Sequence, residues 1–399
     1  MKKSPKRNAA VLLVESNLYG HGFQNALAMA RYFLGRDARV CMLLPEYHRE
    51  LPEAGEIPAD VTILSAGPRT RQRIGKWSFT HFRILWRALV NCRRLAIPRI
   101  LFLTVDNYFY YLTAFLAKML VPMLLLRLRV SIVQYRIGHM VHSEKKSSLD
   151  RVKKLVQRFF LALPTVDHVF VLDPRLFSQS KRSRKFHFMV ETDIEQSAFP
   201  AQARARKEMG WQEDLFYIVS LGTQYWRKGS LWLVRALAHL PRPVRDQVRI
   251  VLAGRFIPAY RTAIMEFASR ENLESQLIIQ DHYIPTSELT AIFAGCDGVA
   301  LPYPRSFRSS SGILFKGVRA GKPILGPEHG VIGHYIEKHR IGWTFNAEDP
   351  PSIAQAMMRL VEADPGEIQR IHANCLDLAR DFSTQAFYAE LDKAFFPAT

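Results

Sequence analysis

Short apolar runs alternate with longer amphipathic stretches along the whole chain, and that alternation predicts a parallel α/β architecture. In the first half the strand-length runs are Ala10–Val14, Arg39–Leu44, Val61–Leu64, Arg99–Thr104, Val130–Tyr135 and His168–Leu172. Amphipathic segments of helix length lie between them, at Phe23–Leu34, Phe79–Leu95 and Leu149–Leu163. The strand runs are continuously apolar rather than alternating, as happens when helices cover both faces of a sheet. The second half repeats the scheme at Phe216–Leu221, Arg249–Ala253, Leu277–Gln280, Gly298–Leu301, Pro323–Leu325 and Trp343–Phe345. Between the halves, Glu191–Gly210 has no clear period, carries Pro200 and the cluster Arg204, Arg206, Lys207, and reads as a linker. The expected fold is therefore α/β, with two Rossmann-like, doubly wound domains at residues 1–195 and 196–380. Ligands bind such sheets at the carboxyl ends of the strands, so a substrate cleft is expected where the two domains face each other.

Two segments raise the question of a membrane. The basic start runs into an apolar stretch, Ala9–Val14, of only six residues before Glu15, too short for a signal peptide. It reads as a basic tail feeding the first strand. Tyr108–Leu126 is 19 residues long with one charge, Lys118, and one proline, Pro122. That length matches a bilayer. The charge and the proline near its centre favour a buried helix of an α/β domain instead, followed by the strand Val130–Tyr135, with a helix lying in the membrane interface as the middle option.

Charge separates the two halves. The chain holds 55 Lys/Arg against 36 Asp/Glu, a net +19. Residues 1–200 hold 32 against 15, and residues 201–399 hold 23 against 21. A strongly basic first half calls for an anionic partner. Four basic clusters lie there, at Arg69/Arg71/Arg73/Lys76, Arg83/Arg87/Arg93/Arg94, Lys145/Lys146/Arg151/Lys153/Lys154 and Lys181/Arg182/Arg184/Lys185. Trp77, Phe79, Phe82 and Trp86 run among the first two, a combination suited to an anionic bilayer surface. Nucleic acid is a poorer fit, because no recognised nucleic-acid module or RNP-type aromatic motif is present. The four cysteines, Cys41, Cys92, Cys296 and Cys375, form no C-x-x-C pair, which argues for a reducing compartment and against a disulfide framework or zinc ribbon.

Several chemistries are missing. No G-x-S-x-G elbow and no H-E-x-x-H occurs. Gly317–Pro323 resembles a P-loop but has three residues between its glycines and Pro in place of Ser/Thr. No D-x-D pair offers a divalent metal site, and His139-x-x-His142 lacks supporting carboxylates, so no metal or resident cofactor is expected.

Three loops carry candidate chemistry instead. Ser16–Ala28 follows the first strand, and Gly20 and Gly22 would let the backbone approach a ligand at the start of a helix; the alternative is a plain βα turn. Val219–Ser230 ends a strand at Gly222 and sets Arg227 and Lys228 just before the next helix. There, side-chain charge and helix dipole would act together on a diphosphate; the alternative is a solvated basic loop. In Pro302–Leu325 a strand runs into Ser309, Ser310, Ser311 and Gly312, whose hydroxyls and amides would bind phosphate or sugar hydroxyls, or merely cap a helix.

The order and spacing of these motifs resemble the retaining glycosyltransferases of the GT-B fold, glycosyltransferase family 4. The resemblance is strongest from Val219 to about Leu360. It rests on G-x5-K-G at Gly222–Gly229, I-V-L-A-G at Ile250–Gly254, E-L-T-A-I-F-A-G-C-D at Glu288–Asp297, the S-S-G…A-G-K-P loop, and G-x2-G at Gly330–Gly333. It implies a second domain that holds a nucleotide-sugar donor and a first that holds the acceptor. Lys228 with Arg227 would take the diphosphate, and the Ser309–Gly312 amides would face donor sugar or phosphate. Gly20 and Gly22 would lie near the phosphates, and the last residues, 381–399 with a helix at Thr384–Phe395, would cross back onto the first domain. The family's paired glutamates, eight positions apart, fall at Arg308 and Lys316, so both acids are bases here. Those two bases suit an acidic sugar such as a uronate. Thr223 stands where an arginine is common. The acceptor-side histidine would fall at Tyr135 or Arg136, with His139 nearby.

The function expected is metal-independent, retaining sugar transfer to a lipid-linked or cell-envelope polysaccharide acceptor. The enzyme would be cytoplasmic and peripherally attached to the inner membrane. The competing reading is a catalytically degenerate GT-B scaffold, or a binding protein that uses the basic half.

Overall fold

The computed structural model describes residues 10–16, 18, 21–67, 79–105, 109–134, 148–175, 185–190 and 198–397. The chain forms two compact units: Met1–Ile194 with Thr384–Thr399, and Glu195–Ser383.

The first unit is built on seven parallel strands: β1 (Ala10–Val14), β2 (Arg39–Leu44), β3 (Thr62–Ser65), β4 (Arg99–Phe102), β5 (Arg129–Gln134), β6 (Val166–Val171) and β7 (Phe186–Phe188). They lie in the order β3-β2-β1-β4-β5-β6-β7. Val14 pairs with Leu43 on one side and Phe102 on the other. β1 is buried throughout, and β4 and β5 are buried beyond their first residues, Arg99 and Arg129, which is why they read as apolar runs. The sequence pattern does not reveal β7. It is a three-residue edge strand, half-buried, with a histidine at its centre.

Helix Thr384–Phe395 belongs to this unit although unit two precedes it in the chain. Tyr32 donates to Asp392 at 2.8 Å, and the Arg36 guanidinium closes on the same carboxylate at 2.5–3.0 Å. Burial opposes ionisation of Asp392, but the Arg36 and Tyr32 donors outweigh it and hold the carboxyl below the usual range. The ring of Phe395 packs 5.1 Å from His168 and 5.2 Å from Phe33, with the Arg99 guanidinium 4.7 Å over its face.

Under that helix, His168 Nδ1 lies 2.9 Å from His187 Nε2. Burial lowers both pKa values, His168 to about 3, with His187 and Arg99 adding to the shift. The unfolded chain takes up these protons near pH 6.5, whereas the folded unit does so only at lower pH. Stability is therefore full above about pH 6.5 and drains as pH falls. The melting temperature is expected to drop between pH 7 and 5, and less steeply in His168→Phe. A flat profile over that window contradicts the argument.

The apolar stretch Tyr108–Leu126 is not one buried helix. It divides into Phe109–Lys118 and Leu120–Leu125. Pro122 has no N–H to give the carbonyl of Lys118, so the helix cannot run through. The first piece is buried at Leu112, Phe115 and Leu116, whereas the second exposes Val121 (66%) and Leu125 (81%). Among the described residues no helix is long and apolar enough to cross a membrane.

The second unit repeats the plan with six parallel strands: β8 (Phe216–Leu221), β9 (Val248–Ala253), β10 (Leu277–Gln280), β11 (Gly298–Ala300), β12 (Ile324–Pro327) and β13 (Gly342–Phe345). Their order is β10-β9-β8-β11-β12-β13, the same doubly wound permutation as in the first unit. The segment read as a linker is in part helix, Gln202–Met209. Its few apolar residues hid it; what holds it is polar. Arg206 is buried, donates to the carbonyl of Gly295 at 2.9 Å and meets Asp297 at 2.6 Å. All four cysteines are free and buried.

Candidate active site

In a doubly wound sheet a crevice opens where the strand order reverses. In the second unit that point lies between β8 and β11. Two loops leave the carboxyl ends there, one after Leu221 and the other after Ala300.

The first loop is held from below. Gln224 is fully buried and donates to the Ser220 carbonyl at 2.9 Å, while Ser230 donates to its side-chain oxygen at 2.5 Å. The loop then makes one 3-10 turn, Trp226–Lys228, and reverses at Gly229 with φ 76°. That left-handed conformation suits glycine, and a Cβ there would collide with the carbonyl oxygen of Pro302. The two loops are thus in backbone contact.

The turn sends its two cations to different places. Arg227 is exposed; its Nε donates to the Tyr225 hydroxyl at 2.7 Å, and its guanidinium lies over the Tyr225 and Phe307 rings. Lys228 turns inward and is 4% exposed. Its Nζ would stand 4.0 Å from a Cβ on Gly222, so it sits over the glycine that ends β8. It donates to the Tyr303 hydroxyl at 3.1 Å and lies 4.7 Å from the centre of that ring. Tyr303 is buried, stacks on Phe307 at 3.9 Å, and its hydroxyl lies 3.0 Å from Ser311 Oγ. Burial would raise the pKa of this phenol, but Lys228, Ser311 and Arg227 outweigh it and lower it below the ordinary value.

Ser311 is the N-cap of helix Gly312–Arg319, and its side chain makes no capping hydrogen bond. The amides of Gly312 and Ile313 precede the first helical bond, so the cap end leaves donors for a ligand. Lys228, Tyr303, Ser311 and the start of this helix therefore converge on one spot, with Gly222 as its floor.

The other candidates fall around or outside this cluster. Ser309 and Ser310 are half-buried on the approach to the helix, and Arg308 is exposed. The Arg308 carbonyl accepts from the Val331 amide at 3.3 Å, tying the loop to helix Gly330–His339. Lys316 is buried one turn into helix Gly312–Arg319. Gly22 lies in the first turn of helix His21–Leu34 of the first unit. Gly20, Tyr135, Arg136 and His139 lie outside the described residues. Tyr303 and Gln224 are contributors that sequence reasoning passed over. Among the described residues, no three His, Cys, Asp or Glu side chains group as a metal set.

The family model described as glycosyl transferases group 1 matches residues 214–363, the stretch that contains both loops. The chain carries a group 1 glycosyltransferase domain. No curated protein matches by sequence. Solved structures match nearly end to end in fold. The sucrose-phosphate synthase of Thermosynechococcus elongatus does so at TM-score 0.75 and 16% identity, over 96% of this chain and 98% of that one. WaaG, a glycosyltransferase involved in lipopolysaccharide biosynthesis, matches at 0.70 and 12%, over 97% and 100%. Anabaena HepE, solved with UDP and glucose, matches at 0.68 and 16%, over 96% and 98%. The glycosyltransferase thus has the GT-B architecture of two Rossmann-like domains.

Proposed function

We propose that this glycosyltransferase moves a sugar from a nucleotide-sugar donor to a lipid-linked or envelope-polysaccharide acceptor, with retention and without a metal. The observation that carries the donor reading is the buried Lys228 ammonium at the switch point of the second sheet, beside the start of helix Gly312–Arg319. As the sugar leaves, negative charge gathers on the nucleotide diphosphate. A fixed cation and helix N-terminal amides in a dry site stabilise that charge without reorganising, which is the role a metal would otherwise fill. A departing phosphate on the acceptor's face of the sugar would take the acceptor's proton, which preserves the anomeric configuration. HepE, solved with UDP and glucose, supports a nucleotide-sugar donor by analogy.

The test is a panel of nucleotide sugars, uronates included, scored for nucleoside diphosphate release, with Lys228→Ala as control. Release from none, with donors still bound, favours the second reading: a scaffold that has lost turnover. The bases Arg308 and Lys316, standing where the resembling family has glutamates, favour that alternative.

The acceptor side of the proposal rests on the first unit. Helix Phe79–Arg94 exposes Phe82, Trp86 and Val90 at a spacing of four, next to the exposed Arg83 and Arg94. Helices Leu120–Leu125 and Ser148–Ala162 add Leu125 (81%) and Leu155 (67%). Apolar side chains and cations together suit the interface of an anionic bilayer. The protein is expected to float with vesicles of 30% phosphatidylglycerol and to stay behind with pure phosphatidylcholine. Trp86→Ala with Leu125→Ala should reduce flotation at low salt. Equal flotation on both vesicle types would sink the membrane reading.

A further inference from the structure

We infer that Tyr303 is a positioning residue, which accepts a hydrogen bond from Lys228 and donates one to Ser311, so that the Ser311 hydroxyl is fixed as a donor to the diphosphate of the nucleotide. The inference rests on the donor reading above and adds to it the direction of every hydrogen bond in the cluster.

Donor counting fixes the first of these directions, and the inference supplies the second. A lysine ammonium has three N–H donors and no acceptor. In the 3.1 Å contact Lys228 therefore donates, and the Tyr303 oxygen accepts. A phenol has a single proton, and at 3.0 Å Ser311 Oγ is its neighbour. Either oxygen could be the donor in that contact, and the inferred arrangement has Tyr303 donating and Ser311 accepting. The serine proton is left over. It cannot return to Tyr303, whose own proton occupies that line. As N-cap oxygen, Ser311 also makes no bond to the first helical amides. Among the described residues, this proton and two of the three Lys228 protons have no recorded partner. Buried donors left over at one place define the shape of what is missing. It is an acceptor with several oxygens, anionic, small enough to reach Lys228 and Ser311 together.

Burial would raise the pKa of the Tyr303 phenol, but the Lys228 charge with Ser311 and Arg227 lowers it, in keeping with the ammonium donating to the phenol oxygen. The relay also explains why the lysine stays put. A buried ammonium with free torsions would wander among rotamers; Tyr303 holds it by the hydroxyl and by the ring face 4.7 Å away. Phe307 stacks on the opposite partner, Tyr303 itself, at 3.9 Å and 11°. The position is therefore set by packing before any ligand arrives.

Tyr303→Phe is the sharp test, because the ring, its stack on Phe307 and its face toward Lys228 are all kept. Calorimetric titration with UDP, ADP and GDP, and with inorganic pyrophosphate, reads the anion directly. For the diphosphate that the wild type binds, Tyr303→Phe is expected to weaken binding about tenfold, with a melting temperature within 2 °C of wild type. Ser311→Ala should weaken it to a similar degree. The double variant should be no weaker than either single one, since both remove the same donor. Losses that multiply in the double variant overturn the relay and leave the donor reading intact, as does wild-type affinity in Tyr303→Phe. A wild type that binds none of the four probes overturns the donor reading and the relay together.

Discussion

Lys228→Ala is expected to lower kcat/KM for the donor by about 10²–10³, with the fold unchanged. That range is what loss of one preorganised charge-stabilising donor costs in sites of this kind. The reasoning is local. Lys228 is 4% exposed, its neighbours include Gly222 and Tyr303, and neither carries a charge that replaces it. Arg227 does not replace it either, because its guanidinium is committed to Tyr225 and the Phe307 ring. Loss of a buried ammonium removes a desolvation cost from the fold, so the melting temperature should stay level or rise. Lys228→Arg should recover little, because a planar fork cannot occupy the volume of a point charge between two aromatic-lined loops. The measurement is initial-rate nucleoside diphosphate release with the best donor of the panel. Turnover within threefold of wild type would remove Lys228 from the mechanism.

The largest effect on stability is expected at Asp297→Ala. Its carboxylate accepts from Arg206 at 2.6 Å, from the Tyr217 amide at 2.7 Å and from Gln202 at 3.1 Å. Burial raises the Asp297 pKa in spite of the donors around it, so desolvation already weighs on this pair. Removing the acid leaves the Arg206 guanidinium buried without a counter-charge, at a cost of about 3–5 kcal/mol. For a unit of this size the corresponding drop in melting temperature is about 10 °C. Replacing both Asp297 and Arg206 with apolar residues should restore much of that loss, which separates the stranded charge from the lost contacts. Scanning calorimetry decides: a single variant that melts within 2 °C of wild type contradicts the account.

Most of the fold was legible because its strands are buried on both faces and so announce themselves as apolar runs. Those runs also carry the β-branched or aromatic residues that favour extended backbone, as in Phe216–Leu221. What stayed hidden was held by polar groups. Helix Gln202–Met209 has almost no apolar face, and Arg206 docks it only because Gly295 and Asp297 lie 89 and 91 residues away. The break at Pro122 was legible in principle, since the missing N–H can be read from the residue alone. In the candidate site, the position of Arg227 and Lys228 before a helix was plain from the sequence. Which of the two turns inward was not, because the answer depends on Tyr303, 75 residues further on. The serine run drew attention to its hydroxyls, while the tyrosine that orders one of them looked like core.

Helix Thr384–Phe395 completes a body whose other strands are all made before residue 190. On the ribosome, the partners of Asp392 and Phe395 must therefore wait while almost two hundred intervening residues are synthesised. At about 5–20 residues per second that delay is roughly 10–40 s. During it, Tyr32, His168 and Phe170 present a bare aromatic face to solvent or to a chaperone. A stop codon after Ser383 would make that interval permanent.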